Sequence, residues 1–98
     1  MTKFSKGFIS SILDLTDLAD LCEENDVALK KTGDNYQGFC PFHPGKIPSF
    51  QVNSEHGFYY CESCYASGDV IRFMMMKQHI SFEDAVRKLK DRSHLGSS

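Results

Sequence analysis

Residues 40–64 read CPFHPGKIPSFQVNSEHGFYYCESC, and the two ends of this stretch decide how the chain folds. Cys40 and His43 lie three positions apart, and so do Cys61 and Cys64, which makes the pattern C-x2-H, seventeen residues, then C-x2-C. Two ligands separated by two residues in a tight turn reach one tetrahedral ion together, and two such turns supply all four corners. Thiolate with imidazole favours zinc over the hard cations. A filled set of four protein ligands leaves no position open for water, so the expected ion is one structural zinc held by Cys40, His43, Cys61 and Cys64. Three thiolates on a divalent ion carry a net −1, which calls for nearby basic side chains or backbone N–H groups.

Working outward, Ser49 to Asn53 and Gly57 to Cys61 read as a hairpin lying between the two ligand pairs, joined through Ser54, Glu55, His56 and Gly57. An earlier hairpin is expected from Val27 to Thr32 and Tyr36 to Phe39, with Gly33, Asp34 and Asn35 supplying the turn. Before it, Phe8, Ile12, Leu15, Ala19 and Cys22 recur at spacings of four, three, four and three, an amphipathic helical stripe. Thr16, followed by Asp17, is a candidate N-cap for a second short helix. After Gly68 the chain turns helical again through Val70, Ile71, Phe73 and Met74. Ser81 and Asp84 make a capping box for a last helix whose stripe is Phe82, Ala85, Val86 and Leu89. The fold class is therefore small α+β: a zinc ribbon with a small antiparallel sheet, flanked by N- and C-terminal helices.

Composition bounds the rest. The 98 residues make one small domain, read as residues 1–92, with 93–98 (SHLGSS) a flexible tail or expression remnant. The formal charge is −2, yet residues 1–26 hold six acids and two bases while residues 27–98 hold seven acids and nine bases, so a polyanion would meet the later part. No apolar run approaches the ~20 residues that span a bilayer, and the N-terminus lacks a signal-peptide core, which points to a cytoplasmic protein without membrane partners. In a reducing compartment four cysteines read as metal ligands or free thiols. Cys22, on the apolar stripe of the first helix, reads as a small buried hydrophobe. Zinc contributes on the order of 10–16 kcal/mol of apparent binding energy, so the domain is expected to unfold without it.

Cations and rings are interleaved: Lys30, Lys31, Lys46, Arg72 and Lys77 with Tyr36, Phe50, Phe58, Tyr59 and Tyr60, the mix that single-strand binders use for phosphate and for base stacking. The rings have a second reading, as filling for the small core. Strand alternation puts Phe58 and Tyr60 on one face and Tyr59 on the other, so one side of this strand stays partly exposed. Surface stacking is open between Tyr59 and Tyr60, and Lys30 and Lys31 serve equally well as a solvated strand end. Met74, Met75 and Met76 read as helix core with one Met left toward a partner, and His56 and His79 as surface histidines. With the Cys/His set consumed by zinc and no other nucleophile paired with a base, the chain reads as non-catalytic on its own.

FISSILDLTDLADL, YQGFCPFHPGKIPSF, FYYCESC and SGDVIRFMM together resemble the N-terminal zinc-binding domain of bacterial DnaG-type DNA primases, from Phe8 to about Lys90. The resemblance implies a zinc ribbon flanked by helices that binds single-stranded DNA template and helps a separate polymerase domain start RNA primers during replication. It carries the family's ligands onto Cys40, His43, Cys61 and Cys64, and its basic and aromatic template-facing positions onto Lys30, Lys46, Phe50 and Tyr59. Where the family has Cys-Phe-Gly-Cys-Gly, this chain has Cys61-Glu62-Ser63-Cys64-Tyr65. Tyr65 thus stands where the backbone calls for a positive φ. Gly45 and Ile47 likewise flank Lys46 in place of the family's Glu and Thr. The polymerase domain, with its cluster of metal-binding carboxylates, is not in these residues. The chain is then either a piece of a primase or a phage or mobile-element adaptor of primase ancestry that docks on a primase or helicase.

Overall fold

The computed structural model describes residues 6–43 and 45–93. The expected C-terminal tail lies outside the described residues from 94 onward. Helix α1 (Lys6–Leu15) and helix α2 (Leu18–Glu24) lead into strands β1 (Leu29–Thr32), β2 (Asn35–Gly38), β3 (Phe50–Asn53), β4 (Phe58–Cys61) and β5 (Ser67–Gly68), followed by helices α3 (Val70–Gln78) and α4 (Phe82–Ser93). The strands form one antiparallel sheet in sequence order. This is the small α+β architecture expected from the sequence, with β5 as an added edge strand too short to leave a periodic signal.

The apolar stripe across residues 8–22 is broken into two helices. Asp17, not Thr16, caps the second: its backbone is extended (φ −82°, ψ 118°) and its carboxylate accepts from the N–H groups of Ala19 and Asp20. Thr16 is instead buried in the corner, with its Oγ1 lacking a hydrogen-bond partner among the described residues. The break turns Leu15 away from the core, and it is 55% exposed.

Turn chemistry sets the register of both hairpins. Gly33 (φ +66°) opens the two-residue connection that pairs Thr32 with Asn35, and Gly57 (φ +71°) ends the loop that pairs Asn53 with Phe58. Gly38 is required by a close approach, since a Cβ there would stand 2.4 Å from the carbonyl oxygen of Ala28. Across the sheet, directly paired residues share a face. Lys31, Tyr36, Val52, Tyr59 and Gly68 form one row, and Phe50 and Cys61 lie on the same side. The helices cover this side, burying Phe50, Val52 and Tyr59 against Ile12, Leu18, Phe73, Val86 and Leu89. The other side stays open.

Helix ends are closed by side chains. Asp69 caps α3 by accepting from the Arg72 N–H at 3.0 Å, and Ser81 Oγ accepts from the Asp84 N–H at 3.1 Å, as the capping box predicts. Arg92 grips Glu24 through Nε at 2.7 Å and Nη2 at 2.5 Å, tying α4 to α2 and holding the Glu24 carboxyl below its usual range. Within the methionine run, Met74 is buried and Met76 is exposed. No described helix is long and apolar enough to cross a membrane.

Candidate metal centre

The ligand pairs sit where the β2–β3 connection and the end of β4 come together. Cys40 and His43 lie in the turn after β2; Cys61 is the last residue of β4, and Cys64 is in the turn that follows. Their four ligand atoms all lie within 4.8 Å of one another. Tetrahedral zinc–sulfur bonds of about 2.3 Å place two sulfurs about 3.8 Å apart, and a sulfur and a nitrogen about 3.6 Å apart. Cys40 Sγ and Cys64 Sγ are 3.7 Å apart, and His43 Nε2 is 3.3 Å from Cys61 Sγ. The donor set and its spacing therefore fit one structural zinc.

Each turn points N–H groups at sulfur. The Phe42 N–H donates to Cys40 Sγ and the Cys64 N–H to Cys61 Sγ, both at 3.4 Å. Ser49, only 4% exposed, adds its hydroxyl at 3.4 Å from Cys61 Sγ. Among the described residues, backbone N–H groups and one hydroxyl are the donors seen to offset the net −1 of the site. Burial pushes the Cys40 thiol up to about 12, with the neighbouring sulfurs adding to the effect. Burial also works against ionisation of Cys61, but the Ser49 hydroxyl, the N–H groups of Cys64 and Ser63 and the His43 ring outweigh it, and its thiol is lowered to about 6. Ser49 was not singled out from the sequence. Its signal was positional: it directly precedes Phe50, which pairs with Cys61.

The second turn does adopt the backbone that the missing glycine implied. Tyr65 has φ 63°, its N–H donates to the Cys61 carbonyl at 2.8 Å, and its ring is 72% exposed. Beneath the first turn, Phe42 packs on Phe50, Tyr59 and Phe73 with ring centroids 6.2, 5.7 and 5.9 Å away. The metal turn and the core are therefore one packing unit. Cys22 takes no part in the site: it is buried in α2, and burial pushes its thiol up to about 12.

The residues read as template-facing separate into two groups. Phe50 and Tyr59 are buried at 0% and 1% exposure, so neither can offer a ring face to a base. Their strand parity turns them onto the helix-covered side, where they close the aromatic cluster. Lys30, Lys46 and Tyr60 are exposed. Lys30, Gln37, Gln51 and Tyr60 are paired in succession across β1, β2, β3 and β4 and so form one row on the open face. Gln37 Nε2 donates to the Pro48 carbonyl at 2.7 Å, which ties the loop bearing Lys46 to this row. The two glutamines were not picked out from the sequence, because single amides carry no periodic signal.

Residues 4–98 match the family model described as the CHC2 zinc finger. The chain is 43% identical over 91 residues to a DNA primase of Lactococcus lactis and 48% identical over 85 residues to one of Neisseria meningitidis; these alignments cover 93% and 87% of the chain. In both cases the chain spans only 14% of the relative's length. Among solved structures it is similar to part of the crystal structure of the Aquifex aeolicus primase that holds that protein's zinc-binding and RNA polymerase domains, with a TM-score of 0.81 and 34% identity, covering 88% of this chain and 21% of that one.

Proposed function

The chain belongs to the CHC2 zinc-finger family, the zinc-binding domains of DnaG-type primases, and on that premise we propose that its open sheet face binds single-stranded DNA template for a polymerase domain that starts RNA primers. The observation that supports this reading is the row Lys30, Gln37, Gln51 and Tyr60, which crosses four strands on the uncovered side. At about 4.8 Å per strand the row is roughly 14 Å long. It combines a cation for phosphate, amides for base edges and a ring for stacking. Lys46 extends the cationic end from the loop tied down by Gln37. Zinc here is architectural: it clamps the turn after β2 to the end of β4 and so holds the two hairpins side by side. With few cations on this face, binding by the domain alone is weak, and the polymerase domain supplies the rest.

Fluorescence anisotropy of the zinc-loaded domain with a labelled single-stranded oligonucleotide, repeated across a salt series, tests the proposal. Each phosphate neutralised contributes about 0.7 to the salt slope on single strands, so Lys30→Ala and Lys46→Ala should each flatten it by nearly that amount. Tyr60→Ala should remove a stacking contribution of about 1–3 kcal/mol per base that salt barely affects. Absence of single-strand binding at low salt, or indifference to both Lys30→Ala and Tyr60→Ala, would refute it.

A further inference from the structure

At the end of the β3–β4 hairpin away from the ligand sulfurs, the turn between the strands and the corner between α1 and α2 enclose a cleft of about 660 Å³. That volume falls in the range of roughly 300–1,000 Å³ usual for binding pockets. Its walls carry four carboxylates, from Asp14, Asp17, Glu55 and Asp69, and no Lys or Arg is among the lining residues. Asp17 and Asp69 are occupied as helix caps, and Asp17 also accepts from Ser54 Oγ at 2.8 Å. Asp14 and Glu55 have no ion-pair partner among the described residues.

Two further features separate this cleft from a solvated acidic surface. Leu15, 55% exposed at the end of the α1 stripe, lines it, and Phe58, 46% exposed and on the same strand face as Tyr60, borders it, which gives the cleft an apolar part. Thr16, 5% exposed, also lines it, and its buried Oγ1 is without a hydrogen-bond partner among the described residues. An occupant that complements these walls is cationic and carries at least one large apolar side chain. Nucleic acid fails the first requirement.

We propose that this cleft is a docking site for a short basic segment of a partner protein, one in which Lys or Arg residues flank a large apolar side chain. The charge pattern assigns the two ends of the domain opposite tasks: the open sheet face meets a polyanion, and the cleft meets a polycation. The site does not depend on template binding, because none of Lys30, Gln37, Gln51 and Tyr60 lines it.

Amide chemical-shift mapping on the zinc-loaded, isotope-labelled domain tests this with three synthetic peptides: KRLFRK, KRGGRK of equal charge without the apolar pair, and EELFEE of reversed charge. KRLFRK should shift amides in residues 13–17 and 54–58 in a saturable manner, and neither control should. The charge-reversed double variant Asp14→Lys with Glu55→Lys should weaken KRLFRK binding about tenfold, on the scale of exposed ion pairs. Both positions are exposed and neither is a cap, and retained zinc content reports that the variant folds. Phe58→Ala should weaken KRLFRK binding and leave any residual effect of KRGGRK unchanged. Equal shifts from KRLFRK and KRGGRK, shifts outside the cleft, or affinity unchanged in the double variant would each overturn the proposal.

Discussion

Replacing Tyr65 with Gly should tighten the metal centre, although it removes a large side chain. Tyr65 holds φ at 63°, a conformation that costs a residue with a Cβ about 1–2 kcal/mol. Its ring is 72% exposed, so truncation loses little packing. Glycine removes the conformational cost and adds about 0.5–1 kcal/mol of backbone entropy to the unfolded chain. The difference leaves the folded domain more stable by about 0.5–1 kcal/mol. Because folding and zinc binding are linked in such a domain, the gain should appear as roughly two- to fivefold tighter apparent zinc binding. Competition with a chromophoric chelator near neutral pH measures this directly. Tyr65→Ala is the control: it trims the ring but keeps the Cβ, so zinc affinity should stay at or slightly below that of the parent chain. If Tyr65→Gly bound zinc more weakly than Tyr65→Ala, the strain assigned to this position would not exist and the exposed ring would be stabilising the turn by some other route.

Ser49→Ala should lower zinc affinity about 10- to 100-fold, the usual effect of losing a hydrogen bond to a metal ligand, while Ser49→Thr should retain most of it; chelator competition distinguishes the two. Cys22 should make stability fall at alkaline pH. Its folded thiol is raised to about 12, so its contribution is complete below its unfolded value near 9 and is lost as pH rises toward 12. At about pH 10.5 the loss is roughly 2 kcal/mol, and urea titrations of Cys22→Ala should show a flatter alkaline limb, with zinc content unchanged. Tyr59, raised to about 12 chiefly by burial, adds a second alkaline loss beginning nearer pH 10 that the Cys22 variant should keep.

Much of this molecule is written locally in its chain. Ligand spacing, the glycines at Gly33 and Gly57, the capping pair Ser81 and Asp84, and the buried stripe Ala85, Val86 and Leu89 act over a few residues, so each could be read without knowing what else folds against it. Strand alternation likewise separated Tyr59 from Tyr60. It could not say which of the two the helices would cover, because parity is a property of one strand and coverage a property of the whole packing. Tertiary structure made that choice, burying Phe50 and Tyr59 beneath the metal turn and leaving Tyr60 in line with Lys30. It also moved the helix break to Asp17, which exposed Leu15, and brought Ser49 beside Cys61 across twelve positions of sequence. The cleft between the α1–α2 corner and the β3–β4 turn belongs to the same class: its walls come from three separate stretches of chain, and only the docking of helices on the sheet brings their charges and apolar side chains together.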